Sequence, residues 1–355
     1  MRKLFVKVLL AGAGSVALLL PATPAQAAGE WHEVPLPPLW PSNFINELAA
    51  AAPDSVWIGG GQGKFCIPGW TPYSCVLSSP GNPVVRRWDG GQWLEYPLRD
   101  LPSNVGPIDD VGASGGEVWV HSHVQLSYPE YLARFDGTAF QKVPLPSERT
   151  VSLSVNPAGV WLKKSSQYRW NGSGWTVTPM PTGIRGISGD IHAISANEAW
   201  GLGVGTGQSR EYFLVRWDGT SWTKVADLPM TGEWDVYSGD GIAVTGPGEV
   251  WALQERPQEA ASRIYRWTDN AFTEHSPSFP TQLNRLHVDG QGALFASGYI
   301  AMSPKAAGTL RFTGADWVTE PEPAPGISPG SLISVPGTDL AWTYGSNPAK
   351  TFTNS

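Results

Sequence analysis

"FLVRWDGTSWTKVADLP", residues 213–229, is the stretch whose reading decides the fold. Two runs of β-branched and aromatic residues flank Asp218-Gly219, and a glycine at that place supplies the positive φ that a tight hairpin turn needs. Trp222 opens the second run. Pro229 closes it, which suits an outer edge strand where a missing N–H costs nothing. The phrase recurs as "VVRRWDGGQWLEYPL" from 84, "YLARFDGTAFQKVPLP" from 131, "SQYRWNGSGWTVTPMP" from 166, "RIYRWTDNAFTEHSPSFP" from 263 and "GTLRFTGADWVTEPEP" from 308. The chain therefore carries six copies of one hairpin.

A second phrase precedes each hairpin, a turn followed by a short strand centred on an aromatic residue. Its members are Trp57, Trp119, Trp161, Trp200, Trp251, Phe295 and Trp342. Before each lies one more short β-type run, such as "TVSLSV" at 150. A full unit thus holds four strands, and units of this kind spaced about 40–50 residues apart are what propeller blades require. Seven Trp-type strands face only six hairpins, and the chain ends on "AKTFTNS" (349–355), which matches a third strand and half a turn. The missing half is "GEWHEVPLP" (29–37), with Trp31 standing where Trp175 stands in its unit. The expectation is an all-β, seven-bladed β-propeller of four antiparallel strands per blade, its last blade closed by the N-terminal strand. Such closure removes both exposed edges.

Arg2, Lys3 and Lys7 precede an apolar run from Val8 to Leu20 and then Ala25-Gln26-Ala27, the pattern of a secretory signal peptide over residues 1–27. The run is shorter than the roughly 20 residues of a membrane span. What remains is expected to be one exported, extracellular propeller domain, residues 28–355. Loss of the three cations takes the formal charge from −7 to −10, which argues against nucleic acid or an anionic membrane as partner. The two cysteines, Cys66 and Cys75, share one loop and are expected to form a disulfide in an oxidising compartment; a two-ligand metal site is the alternative. Gly 41, Pro 32 and Trp 18, without long runs of helix formers, agree with a turn-rich all-β chain.

The pattern resembles secreted bacterial β-propeller proteins whose blades carry "VW" and "RWDG..W" strands, over essentially the whole chain after the leader. The resemblance implies a fold and a lectin-like role. The chain departs from other propeller repeats: Arg stands two positions before the turn Asp, where the Asp-box of sialidases has Ser or Thr. The Gly-His start of WD40 blades and the regular paired glycines of kelch repeats are missing.

Connections between second and third strands, approximately 60–83, 121–131, 202–212, 253–262 and 296–308, are expected to be long and to crowd one face, the usual sign of a binding face in a repeat array. They and the 229–240 connection carry Trp70, Tyr73, Tyr128, Tyr131, Tyr212, Trp234, Tyr237 and Tyr299, whose rings would stack on sugar C–H faces if exposed. Glu47, Asp109, Asp190 and Asp240 precede the blade aromatics by about ten residues, in register to ring the channel mouth, where carboxylates could hold Ca²⁺. No other cofactor is expected. His121 and His123 share a strand face, but sequence supplies no third metal ligand. The G-x-S-x-G around Ser114 lies in a strand-to-strand turn and not at a nucleophile elbow.

With no convincing catalytic set, the expectation is a secreted, non-catalytic, lectin-like protein recognising carbohydrate or cell-wall polysaccharide, on its own or as a subunit of a larger secreted complex. The alternatives are a propeller glycoside hydrolase or lyase using the four channel-mouth carboxylates, and a scaffold gripping a secreted protein.

Overall fold

The computed structural model describes residues 30–355 apart from 72–73, 124–128, 147–151, 164–165, 208–210, 231–235, 257–260, 303–304, 321–331 and 347. The expected leader, residues 1–27, lies outside the described residues. No helix among the described residues is long and apolar enough to cross a membrane.

Each hairpin is made by its turn chemistry. Asp89 accepts the N–H groups of Gly91 and Gln92 at 2.9 Å each, and Asp136, Asn171 and Asp218 do the same two and three residues on. The following glycines, Gly90, Gly137, Gly172 and Gly219, sit at φ between 96° and 101°, a region closed to most side chains. The Arg before the turn has its own task. Arg87 and Arg169 donate to the carbonyls of Asp54 and Ala158, and Arg134 and Arg266 pair with Glu117 and Glu249. Several of these guanidinium groups lie about 5.6 Å above the Trp of their own blade, a cation–π geometry.

Seven four-stranded antiparallel sheets follow round a ring. Blade 1 is Phe44–Ala52, Ser55–Gln62, Asn82–Trp88 and Trp93–Glu95. In blade 4, Ile184–Ser195, Glu198–Gly205, Tyr212–Trp217 and Trp222–Asp227 repeat the order, and the other blades follow suit. The inner strands contact one another and enclose the central channel.

The repeated aromatics explain the cohesion between blades. Trp57 packs edge-on against Phe135 and Phe140 of blade 2, Trp119 against Trp170 and Trp175 of blade 3, and Trp161 against Trp217 and Trp222 of blade 4. Trp342 of blade 7 meets Trp93 of blade 1 edge-on and Trp88 at a tilt. Each pair adds about 0.5–1.5 kcal/mol beyond the area it buries.

Closure is as the sequence leads one to expect. His32–Val34 pairs antiparallel with Ala349–Thr353, matching Glu33 with Phe352 and Val34 with Thr351, and is the outer strand of blade 7. Lys350 pairs with Glu33 at 3.1 Å, and the Thr351 hydroxyl donates to the Val34 carbonyl at 2.7 Å. Two of the connections expected to be loops are instead mostly strand. In blade 5, Glu249–Arg256 and Ala261–Thr268 pair as far as Arg256 and Ala261, and in blade 6 Leu294–Met302 and Lys305–Phe312 pair as far as Met302 and Lys305. Both flanks there have β-forming runs, so the ladder continues outward.

Candidate functional site at the channel mouth

The inner strands are irregular where they begin. In blades 1, 4, 5 and 6 the pairing to the second strand shifts between Ile45 and Glu47, Ser188 and His192, Tyr237 and Ile242, and Leu283 and Arg285. A bulge adds unpaired residues, bends the strand and re-aims its side chains. Here the shifts coincide with Glu47, Asp190, Asp240 and Arg285, so the charged residues gather at one end of the channel. A cavity of about 320 Å³ opens there, and among aliphatic side chains its polar lining is Asn156, Asp190, His192, Asp240, Arg285, His287 and Ser334.

The electrostatics are those of a semi-enclosed polar well. Lys163 reaches Asp190 at 3.3 Å. Burial pushes Glu47 up to about 8; Arg285 offsets part of this, while Asp190 and Asp110 reinforce it. At about 8 the Glu47 carboxyl holds its proton at neutral pH. Burial drives His192 down and His287 down to about 3, so both rings are neutral. His192 Nε2 and both nitrogens of His287 are shielded without a hydrogen-bond partner among the described residues. Shielded polar atoms are normally satisfied. Both histidines belong to the lining of the cavity, and the His287 ring also stacks on Phe295 with centroids 5.1 Å apart.

The four carboxylates expected to form a calcium ring do not gather as ligands. Asp109 accepts the His123 N–H at 2.7 Å and the Asn46 side chain at 3.3 Å, while Asp190 is held by Lys163. Among the described residues, the group whose ligating atoms lie together is Asp110, His121 and His123. Asp110 was missed in the sequence, although a signal was available. Residues equidistant from the Gly115-Gly116 turn pair across it, and Asp110 stands directly opposite His121.

The expected aromatic platform is also redistributed. Tyr131 opens a third strand and is buried, its hydroxyl donating to the Arg99 carbonyl at 2.8 Å. Tyr237 lies on the inner strand of blade 5, buried, donating to the Pro229 carbonyl at 2.7 Å and packed 5.4 Å from Tyr212. These two rings anchor strands and are withdrawn from any sugar. Tyr73, Tyr128 and Trp234 lie outside the described residues. Trp70 is fully exposed, and Tyr299 is 43 % exposed.

Trp70 belongs to an element that the repeat does not contain. Phe65–Pro68 pairs with Cys75–Ser79 as a separate two-stranded sheet inserted between the second and third strands of blade 1. A Cys66–Cys75 disulfide clamps it. Phe65, Ile67, Val76 and Leu77 are all exposed on this hairpin along with Trp70.

No protein-family model matches the chain, and no curated protein matches its sequence. By shape it is similar to solved propellers. A structure described as YCF48 bound to D1 peptide superposes with a TM-score of 0.58 at 14% identity, covering 93% of this chain and 96% of that one. YCF48 from Cyanidioschyzon merolae gives 0.54 at 13% identity over 91% and 98%. A chain in the mitotic checkpoint complex gives 0.58 at 10% identity over 96% and 98%. At these identities the likeness is one of fold.

Proposed function

We propose that this protein is an exported, non-catalytic binding propeller, of which residues 28–355 form the single working domain after loss of the 1–27 leader, and that it binds carbohydrate at the channel mouth. The observation that carries this reading is the cavity into which bulged inner strands deliver Asp190, Asp240 and Arg285 beside neutral imidazoles. Sugars present many hydroxyls in fixed directions. Carboxylates accept from them, a guanidinium donates to them, and preformed positions reduce the ordering cost of binding. The disulfide supports the exported reading.

The test is a glycan array probed with the mature protein, followed by calorimetry on any glycan retained. Asp240, exposed at the mouth, is the residue to change. Asp240→Ala should weaken binding at least tenfold, about 1.4 kcal/mol. A bound glycan indifferent to Asp240→Ala and Arg285→Gln would remove the cavity from the reading.

One observation favours a second reading, a protein or peptide partner. Ile67, Val76 and Leu77 are branched chains that do not stack on sugar rings, yet they are exposed together on the clamped hairpin. Exposed apolar patches of this kind mark protein contacts. A propeller of the same architecture, YCF48, is described as bound to the D1 peptide. A blank glycan array, together with capture of a protein partner that Trp70→Ala and Leu77→Ser abolish, would select this reading over the first.

A further inference from the structure

We propose that Asp110, His121 and His123 form a binding site for a divalent transition-metal ion of the zinc class, with Glu130 orienting the His121 imidazole and Asp109 holding the backbone of His123. The site stands apart from the sugar reading and would survive its failure.

The three residues are brought together by simple strand geometry. Asp110 begins the inner strand of blade 2, Asp110–Ser114, and lies opposite His121 on the second strand, Glu117–Ser122. His123 projects to the same side as His121, two residues on. The rings meet edge to face with centroids 4.5 Å apart. Asp110 Oδ2 is 3.1 Å from His121 Nδ1 and 2.9 Å from His123 Nε2, and the three ligating atoms lie within 4.8 Å of one another. Bonds of 2.0–2.1 Å around a tetrahedral ion place ligand atoms roughly 3.3 Å apart. Only small movements separate the cluster from that arrangement.

Two features distinguish it from an ordinary surface salt bridge. The first lies in the outer contacts. His121 Nε2 meets Glu130 Oε1 at 2.8 Å, and His123 Nδ1 faces Asp109 Oδ2 at 3.9 Å. His121 thus has a carboxylate at hydrogen-bond distance on the nitrogen turned away from Asp110, the pattern by which metal-bound histidines are oriented and made more basic, while Asp109 Oδ2 holds His123 through its backbone N–H at 2.7 Å. The Leu153 N–H fixes Asp110 from the next blade at 3.1 Å.

The second is charge. Asp109, Asp110 and Glu130 bring three carboxylates to two imidazoles, so the cluster remains anionic even when both rings are protonated. Nδ1 of His121 and Nε2 of His123 both face Asp110 Oδ2 at hydrogen-bond distance. A dication seated among these three atoms would leave Nε2 of His121 to pair with Glu130. His121 is fully buried, whereas the His123 side chain is 30% exposed and that of Asp110 23%. The ion therefore has an entry path. Three protein ligands leave a coordination position on the solvent side.

The test begins with chelator-treated, full-length mature protein titrated with Zn²⁺ alone. One ion per chain and a raised melting temperature are expected. Co²⁺ in its place should give the visible absorption of a low-coordinate nitrogen–oxygen site. His123→Ala, at the exposed ligand, should weaken Zn²⁺ binding at least 100-fold and abolish the Co²⁺ spectrum. Glu130→Gln should weaken binding 10–100-fold while retaining the spectrum, the signature of an orienting residue. Absence of Zn²⁺ and Co²⁺ binding at millimolar metal, or binding unchanged in His123→Ala, overturns the proposal. If His123→Ala fails to fold, the wild-type Co²⁺ titration alone decides, because no spectrum means no site.

Discussion

Trp161 lies wholly out of solvent, with Trp217 and Trp222 edge-on to it across the gap to the next blade. Truncating such a ring leaves a cavity that neighbouring sheets cannot refill without breaking their own ladders. Trp161→Ala should cost about 3–5 kcal/mol, read as a lowered urea midpoint. Glu47 makes the opposite case, a residue whose surroundings resist its charge. Its folded pKa of about 8 exceeds the ordinary 4.5, so the folded state holds the proton more tightly than the unfolded one. The stability it contributes is full below pH 4.5 and is lost as pH rises through about 8. Glu47→Gln should match the wild type near pH 4.5 and gain on it by a few degrees of melting temperature at pH 8–9; equal melting curves at both ends would contradict the burial argument. The blade tryptophans were legible in the sequence because their role repeats with the fold's own period. Tyr131 and Tyr237 were not, because a ring at a strand start and a ring in a loop look alike until the register is known.

Elements diverge from the repeat in two ways. The bulges that set Glu47, Asp190, Asp240 and Arg285 at the channel mouth have no sequence signature of their own; they are properties of how two strands fail to stay in step. Spacing alone singles out the carboxylates Glu47, Asp109, Asp190 and Asp240, but not Lys163 and Arg285, whose charges act on Asp190 and Glu47. The inserted hairpin was readable as a disulfide loop, though not as a paired ribbon standing clear of its blade. Since Phe65–Pro68 and Cys75–Ser79 form their own sheet, the clamp acts locally. The double variant Cys66→Ser, Cys75→Ser should leave the global melting temperature within about a degree, since the entropy that a crosslink removes belongs to its own short loop. Limited proteolysis should then cut within residues 65–79 many times faster. A large drop in global stability would mean that the hairpin braces the ring.

At the scale of the whole molecule, the blade count rested on one comparison, an N-terminal strand that completes a C-terminal half-unit. That was legible because Trp31 and the prolines after it keep the register of the other outer strands. The pairing of Glu33 with Phe352 and Val34 with Thr351 follows from it. Deleting residues 28–37 should expose the edge of Ala349–Thr353 and the apolar side of Val34's neighbours Ile45, Val56 and Trp342. The expected result is a lowered melting temperature together with concentration-dependent association on size-exclusion chromatography, since an open edge recruits strands from other molecules. A monomer of unchanged stability would show the seventh blade to be sound with three strands.

The same pairing dictates an order of events in biogenesis. The segment 32–34 is synthesised long before 349–353, the strand it pairs with, and some three hundred residues must be made in between. Until the final turn of the polypeptide has been released, the toroid stays unlatched, and contacts of such sequence separation form slowly. The segment 32–34 is made early and docks late, so a chain cut short before residue 349 forfeits the strand that fastens the ring.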